Sequence, residues 1–480
     1  MCSKTRIKRA LLGLALGAAL IGGSAGVYFG LKLAAVGTAY TAKTLCSGIF
    51  VSHRDPASVL GTDLSPDVHP ILRLVGARTD RDARQVTASL LGLAQRRAIY
   101  REGFGCVVVD PNGGVTRAAA SLIYETPKRA EPSSATDDLR TAGEPSPEVD
   151  AAALRAAADW AFAEPDPKLP RNTRAVLVVH DGRIIAERYA EGFGVDTALI
   201  GWSMTKSVVN ALVGILVKEG KLSLDAPVPL QEWAGADDPR RAITLAHLLH
   251  MTSGLEFEEN YANPLADVTY MLFGVPNAAE FAVAKPLRAQ PGTRWQYSSG
   301  TSNILTHAIR RTVGEADYHA FPRQALFDRI GMTRAVVETD AAGTFVGSSF
   351  MYATARDWAR FGLLYLQDGV WSGERILPDG WVTYSRTPAP GAPDGQFGAH
   401  FWLRVPKEFH CADDTPDLPA DAFHAIGHEG QFVTIIPSRS LVLVRLGFTH
   451  YPCAWDHPQF VQRVLNAVGL EGGFRREASP

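Results

Sequence analysis

The stretch Trp202-Ser203-Met204-Thr205-Lys206-Ser207 opens a long apolar run from Val208 to Val217. It predicts a helix that begins at Ser203, because serine is a favoured N-cap residue and Lys218-Glu219-Gly220 supplies a C-terminal stop. A helix that is apolar on every side must be buried. Ser203 and Lys206 lie on one face of it, near hydrogen-bonding distance, and burial lowers the pKa of the amine. The pair is therefore a candidate nucleophile with its own base.

A match to Ser-x-x-Lys is weak evidence by itself, since a chain of this length contains roughly one or two by chance. The simpler interpretation is a capping serine followed by a solvent-facing lysine. The surrounding motifs must therefore decide between the two.

Composition excludes some classes of function. The chain has 480 residues, of which 46% are hydrophobic, so it can bury a large core, and its length suggests two or three domains. Its 48 basic residues nearly balance 50 acidic residues, which argues against a nucleic-acid-binding protein.

The N-terminus predicts a membrane anchor within residues 1–36. Four basic residues among the first nine precede an uncharged stretch from Ala10 to Leu31, which is long enough to span a bilayer. The basic end should stay in the cytoplasm, so we expect a single-pass protein of the inner membrane whose remaining chain faces the periplasm. The alternative is a signal peptide cleaved near Gly37-Thr38-Ala39, followed by secretion.

Cysteine usage agrees with export. Cys46, Cys106, Cys411 and Cys453 follow the predicted anchor, and Cys2 precedes it. Among the three possible connectivities we favour Cys46 with Cys106 and Cys411 with Cys453, because each pair joins neighbours within one predicted domain. Four buried free thiols are the alternative.

Residues 37–126 form a small N-terminal extracytoplasmic segment in this interpretation. A helix is predicted around Ala88 to Arg101 and a strand from Cys106 to Asp110. The polar, proline-rich residues 127–148 are typical of a linker. An alanine-rich helix around Val149 to Ala163 then begins the main domain, residues 149–475.

Two hairpin patterns lie at opposite ends of this domain. Ala175 to Val179 and Ile184 to Tyr189 flank one turn, and Phe432 to Ile436 and Leu441 to Leu446 flank another. A C-terminal helix from Pro458 to Val468 follows. The predicted fold class is α/β (α+β), with one antiparallel sheet flanked by helices and a mainly helical subdomain inserted between its halves.

Four motifs in order carry a resemblance to a known family. They are Ser203-Met204-Thr205-Lys206, the segment His247 to Leu255 that contains Thr252-Ser253-Gly254, the turn Trp295-Gln296-Tyr297-Ser298-Ser299-Gly300, and Gly427-His428-Glu429-Gly430-Gln431. From about residue 170 to 470 the chain resembles the serine β-lactamase and penicillin-binding-protein superfamily. It is most similar to the class C-like branch, which also holds esterases, DD-peptidases and 6-aminohexanoate-dimer hydrolases.

The resemblance implies roles for individual residues. Ser203 would be the nucleophile, Lys206 its base, and Tyr297 the phenol that relays a proton to the leaving group. The backbone N–H groups of Ser203 and Gln431 would form the oxyanion hole. His428 and Gly430 would contact the substrate from a strand edge.

Two departures from the family pattern bear on the substrate. Ser299 stands where an asparagine usually contacts a substrate carbonyl, and we expect it to donate there instead. His428 replaces a lysine that helps to hold the carboxylate of penicillins and peptidoglycan stems, which argues against efficient β-lactam turnover. The acidic segment Glu256 to Tyr261 could bind a substrate amine, with Tyr261 as a contact, but a solvated acidic loop is the simpler interpretation.

These observations together predict a membrane-anchored serine hydrolase that cleaves a small ester or amide through an acyl-enzyme on Ser203. No cofactor and no metal are expected, since His247 and His250 lack a third ligand. A DD-peptidase or β-lactamase that acts on cell-wall peptides is one alternative. A non-catalytic protein that binds peptidoglycan or assembles in the membrane is another.

Overall fold

The structure, a computed structural model, describes residues 28–65, 67–109, 139, 149–410 and 416–469. Its strands in chain order are β1 (Val75–Asp80), β2 (Gln85–Leu90), β3 (Leu93–Arg101), β4 (Gly105–Val109), β5 (Thr173–His180), β6 (Arg183–Tyr189), β7 (Leu199–Ile200), β8 (Val336–Val337), β9 (Met351–Ala353), β10 (Val370–Trp371), β11 (Glu374–Arg375), β12 (Phe423–Gly427), β13 (Gln431–Ile436) and β14 (Leu441–Gly447).

The helices of the same residues include α1 (28–50), α2 (Pro56–Gly61), α3 (Ala151–Phe162), α4 (Met204–Lys218), α5 (Leu245–Leu249), α6 (Asp267–Phe273), α7 (Ala278–Val283), α8 (Ser299–Val313), α9 (Ala355–Leu366), α10 (Trp381–Arg386) and α11 (His457–Ala467). A short 3-10 helix, Pro70–Leu74, precedes β1.

The central sheet has five antiparallel strands in the order β12-β13-β14-β5-β6. Its two halves come from opposite ends of the main domain and meet where β14 pairs with β5. The segment between β6 and β12 carries the helices α4 to α10 and only short strands, and α4 packs against α8 within it. The predicted α/β fold, with one sheet assembled from distant hairpins and a helical insert, is confirmed.

Helices cover both faces of the central sheet. Ala175, Leu177 and Val179 of β5 join the core that contains α9, whereas Val176 and Val178 join the core that contains α3 and α11. The alternation follows from the two-residue period of a strand, and it explains why the strand is apolar throughout. The predicted helices at Val149 to Ala163 and Pro458 to Val468 are α3 and α11, and Asp456 accepts from Gln459 N at 2.9 Å as the N-cap of α11.

One secondary-structure prediction was wrong. The predicted helix from Ala88 to Arg101 is the hairpin of β2 and β3, which belongs to a separate sheet in the order β1-β2-β3-β4. Its loop, Leu91-Gly92, has positive φ at both residues, 50° and 82°. A two-residue loop of this kind matches the twist of a β-hairpin and cannot occur inside a helix. The predicted strand at Cys106 is confirmed as β4.

The N-terminal segment packs directly on the main domain. Glu338 of the main domain forms an ion pair with Lys43 of α1, and both side chains are buried. The same carboxylate accepts hydrogen bonds from Ser47 Oγ at 2.7 Å and from Cys106 N at 2.6 Å. Asp63 pairs in the same way with Arg174 of β5 at 2.8 Å. A buried charge without its partner costs several kcal/mol, so these pairs fix the segment in one position.

The predicted domain boundary at residues 36 and 37 falls within α1, which runs unbroken through it. Most of the predicted anchor, from Ala10 to Leu31, lies outside the described residues, as does the predicted linker 127–148 except Leu139. Within the described part of the chain, no helix is both long enough and apolar enough to cross a bilayer.

The predicted disulfide between Cys46 and Cys106 is present and joins α1 to β4. Both cysteines are fully buried among apolar side chains. The second predicted pair includes Cys411, which lies outside the described residues, so that pairing stays a prediction.

Candidate functional site

The chain enters α4 through a tight turn that presents Ser203. A Cβ on Gly201 would lie 2.3 Å from the ring of Trp358, so only glycine fits there. Trp202 follows with φ of +46°, a conformation that costs energy for a bulky residue. Ser203 lies at the N-cap position, as predicted, but its side chain makes no capping hydrogen bond. Its hydroxyl is thereby available for other partners.

Lys206 is the first of those partners. Its Nζ lies 2.8 Å from Ser203 Oγ, 3.0 Å from Ser299 Oγ and 3.0 Å from the carbonyl oxygen of Ser348. The lysine is 1% exposed, and this burial lowers its pKa to about 8, although the Glu259 carboxylate acts in the opposite direction. A lysine with such a pKa has a substantial neutral fraction near neutral pH, and only the neutral amine can accept a proton. The interpretation of a solvent-facing lysine is wrong.

Glu259 completes this network and was not among the predicted site residues. Its carboxylate accepts from Ser299 N at 2.7 Å and from Ser299 Oγ at 2.5 Å. Burial raises the pKa of Glu259, while Lys206 and the bonds from Ser299 lower it. A continuous path therefore runs from Ser203 through Lys206 and Ser299 to a carboxylate.

The acidic segment around Glu259 is only partly solvated. Glu256 and Glu258 are exposed, and Glu256 pairs with Arg288 at 2.6 Å on the surface. No local pattern separates Glu259 from these two neighbours, so sequence reasoning could not select it. Ser299, predicted to contact a substrate carbonyl, instead donates its hydroxyl proton to Glu259 and accepts from Lys206.

Tyr297 lines the same cavity as Ser203. The Lys206 Nζ is 4.9 Å from the centre of its ring, and the ring stacks on Trp402 at 5.4 Å. Burial raises the pKa of Tyr297, and the Glu259 charge raises it further, whereas its interaction with Ser203 lowers it. The phenol therefore keeps its proton at neutral pH and can donate it.

His428 lies in the turn between β12 and β13. Its ring stacks on Tyr261 with centres 4.5 Å apart and meets Trp202 edge-on at 5.6 Å. Tyr261 and His428 thus form one aromatic wall beside Ser203. The structure brings both predicted contacts to the site.

Gly430 and Gln431 take part in hydrogen bonds that stabilise this turn. Gly430 has φ of +80°, and its carbonyl oxygen accepts from the buried Arg445 at 2.6 Å. The Gln431 side-chain amide donates to the carbonyl oxygens of His428 at 3.1 Å and Gly447 at 2.8 Å. These hydrogen bonds fix the turn that carries His428. The role of the Gln431 backbone N–H in an oxyanion hole stays a prediction.

Ser203 opens onto a cavity of about 820 Å³. Ser203, Tyr297, Tyr261 and His428 all contribute to its wall. Among the described residues that line it there is no lysine or arginine, whereas three carboxylates are present, Glu259, Glu408 and Glu429. Two of these carboxylates have a basic neighbour, since Glu259 interacts with the buried Lys206 and Glu429 raises the pKa of His450.

Among the described residues, no group of three or more His, Cys, Asp or Glu side chains is arranged to hold a metal ion. His247 serves instead as a helix cap, since its side chain accepts from Thr244 N at 3.2 Å. Burial lowers the pKa of His250 to about 4.

Comparison with known proteins places these residues in context. The family model described as Beta-lactamase matches residues 168–452. The chain is 28% identical over 327 residues to a 6-aminohexanoate-dimer hydrolase from Paenarthrobacter ureafaciens. This match covers 64% of this chain and 78% of that protein. It is also 28% identical over 193 residues to the esterase EstB from Burkholderia gladioli, covering 35% of this chain and 47% of the esterase.

Among solved structures, a protein described as a putative beta-lactamase from Bacteroides dorei superposes with a TM-score of 0.51 at 19% identity. The match covers 66% of this chain and 97% of the other. At this identity the likeness concerns the fold alone. The family match begins at residue 168, so it leaves out α1, the β1–β4 sheet and α3.

Proposed function

The chain belongs to the Beta-lactamase family of serine hydrolases, and on that premise we propose that it cleaves a small ester or amide through an acyl-enzyme on Ser203. One observation carries the proposal: the buried Lys206 Nζ lies 2.8 Å from Ser203 Oγ. A hydroxyl becomes a nucleophile only when a nearby base removes its proton, and a buried amine with a pKa of about 8 can do so.

In the proposed reaction Ser203 Oγ bonds to the substrate carbonyl carbon while its proton passes to Lys206. Tyr297 then donates a proton to the leaving oxygen or nitrogen as that bond breaks, and it recovers a proton from Lys206. The N–H of Ser203 belongs to the first turn of α4, where such groups have no intrahelical acceptor, and with Gln431 N–H it would stabilise the oxyanion. Water subsequently attacks the acyl-enzyme with Lys206 as its base.

The lining of the cavity favours neutral or cationic substrates. It contains Glu259, Glu408 and Glu429 and, within the described part of the chain, no lysine or arginine. Penicillins and peptidoglycan stems carry carboxylates, for which these lining residues offer no lysine or arginine partner. Activity on a simple ester or a linear amide is therefore the better-supported proposal, in keeping with the similarity to a 6-aminohexanoate-dimer hydrolase and an esterase.

Labelling with a fluorophosphonate probe tests the nucleophile. We expect the wild type to be labelled and Ser203→Ala to be unlabelled, with hydrolysis of p-nitrophenyl butyrate reduced at least about 10³-fold. Ser207→Ala is the matched control, because Ser207 lies on the same helix but donates to the carbonyl oxygen of His400 at 2.7 Å. Equal labelling of Ser203→Ala and wild type would reject the proposal.

A comparison of three substrates tests the substrate class. We expect turnover of p-nitrophenyl butyrate or a linear aminohexanoate dimer to exceed turnover of nitrocefin. Faster turnover of nitrocefin would favour a β-lactamase. No turnover of any of the three, together with no probe labelling, would favour a non-catalytic protein.

For the location of the protein, we propose an inner-membrane anchor within residues 1–36, with the catalytic domain in the periplasm. The uncharged stretch after a basic N-terminus and the Cys46–Cys106 disulfide support this proposal. Membrane fractionation of the full chain with carbonate washing tests it. Release of the intact catalytic domain as a shorter, soluble periplasmic species would indicate the cleaved alternative.

A further inference from the structure

The cavity beside Ser203 has a second wall that lies outside the matched family region. Leu33, Val36 and Tyr40 of α1 and Ile71 and Leu72 of the 3-10 helix line the same cavity as Ser203 and Tyr297. The family match covers residues 168–452, so these five residues belong to a part of the chain that it does not include. We call them the N-terminal wall.

The N-terminal wall is fixed to the main domain at several points. The Tyr40 ring packs edge-on against Phe273 of α6 at 5.2 Å, and its hydroxyl donates to the carbonyl oxygen of Asp63 at 3.2 Å. The buried Lys43–Glu338 ion pair lies one turn further along α1. Side chains held in this way present a constant surface to a ligand, because their positions are set by packing that does not depend on the ligand.

The N-terminal wall is apolar apart from the Tyr40 hydroxyl. His69, the N-cap of the 3-10 helix, lines the cavity beside it, and its Nδ1 accepts a hydrogen bond from Ile71 N at 3.2 Å. Four of its five residues are aliphatic, and Tyr40 uses its hydroxyl within the protein, so its ring is what remains for a ligand. Phe273, Phe409 and Ile426 extend the same apolar lining on the main domain. A ligand gains free energy from such a surface by burying hydrocarbon, by an amount that increases with each methylene group.

We propose that the N-terminal wall is a specificity site that binds an aliphatic chain of the ester or amide substrate. The inference rests on the proposed hydrolase function and adds the substrate class: a neutral acyl compound with a chain of several carbon atoms. The site requires the N-terminal segment, so the main domain alone has an incomplete binding cavity.

Two ester series measure chain-length preference. One varies the acyl chain of p-nitrophenyl esters from acetyl to decanoyl, and the other varies the alcohol chain of acetate esters over the same range. In one series we expect kcat/KM to rise by up to about fourfold per methylene group until the cavity is filled. The two arms distinguish a chain on the acyl side from a chain on the leaving group.

Ile71→Asn and Leu33→Asn replace aliphatic cavity-lining side chains with polar ones of similar size. Leu74→Asn is the matched control, since Leu74 lies on the same 3-10 helix as Ile71 but is 51% exposed and does not line the cavity. We expect the ratio of kcat/KM for the longest and shortest chains to fall at least tenfold in the two wall variants and to stay at the wild-type value in the control. Thermal unfolding of each variant identifies any that does not fold, and the other wall variant then carries the test.

A binding assay separates this proposal from the proposed function, because it needs no catalysis. The full chain carrying Ser203→Ala is titrated calorimetrically with straight-chain alcohols from butanol to decanol. We expect the longer alcohols to bind more tightly. Adding Ile71→Asn should weaken decanol binding at least tenfold. If this loss occurs but the wild-type protein hydrolyses no ester, the proposed chain-binding site is supported and the hydrolase proposal fails. If esters are hydrolysed but neither wall variant changes chain preference or alcohol binding, the proposal that the N-terminal wall binds an aliphatic chain is refuted.

Discussion

Replacing Glu259 by glutamine should move the pH dependence of catalysis. Only the neutral form of Lys206 can accept the Ser203 proton, so we expect kcat/KM to rise with pH and to reach half of its maximum at about pH 8, the pKa of Lys206. The negative charge of Glu259 favours the ammonium form and so raises that pKa. Removing the charge should therefore shift the rising limb towards lower pH.

The structure sets the size of the shift. The hydrogen bonds of 3.0 Å from Lys206 to Ser299 and 2.5 Å from Ser299 to Glu259 place the two charges within about 5.5 Å of each other. At an effective dielectric constant of about 20, such a pair interacts by about 3 kcal/mol. This energy corresponds to a shift of about two pH units. A shift of at least about one unit is the expected result.

The assay is the pH profile of kcat/KM for p-nitrophenyl butyrate between pH 5 and 10. Glu259→Asp keeps the charge and should keep the wild-type midpoint to within about half a unit. Glu258→Gln is the control for position, since Glu258 is exposed and its carboxylate accepts only from Asn263 among the hydrogen bonds described. A profile of Glu259→Gln that coincides with that of the wild type would refute the electrostatic coupling, whatever the variant's maximal rate.

Three further changes test other parts of the structure. Tyr297→Phe should lower kcat by about 10²- to 10³-fold with little change in thermal stability, because it removes the proton donor but keeps the stacked ring; an unchanged kcat would exclude Tyr297 from the relay. The double variant Cys46→Ser and Cys106→Ser removes the cross-link that closes a loop of 60 residues, and its free energy of unfolding in urea should fall by about 4 kcal/mol. An unchanged free energy of unfolding would show that the buried ion pairs alone hold the segment. Gly201→Ala should destabilise the fold by about 1–3 kcal/mol through the contact with Trp358, and equal melting temperatures would contradict this.

Features that depend on neighbours along the chain could be predicted. The hairpins at both ends of the sheet follow from two-residue alternation around a turn, and all four of their strands were confirmed. The contact between Ser203 and Lys206 follows from three-residue spacing on a helix. The error at residues 88–101 had a local cause as well, since Leu91-Gly92 is a turn and the helix prediction passed over it.

The sequence by itself determined the contact between Ser203 and Lys206 and the strands of the central sheet, because each depends on the repeat of a helix or a strand over a few residues. Only the tertiary structure decided that Glu259 reaches Ser299 across 40 residues, and that α1 and the 3-10 helix close the cavity beside Ser203. Such contacts depend on how distant elements pack, and packing depends on the shapes of whole surfaces, which no local pattern encodes. The Ser203–Lys206 pair can therefore be predicted from the chain, whereas the surroundings that set the pKa of Lys206 and shape the cavity arise only on folding.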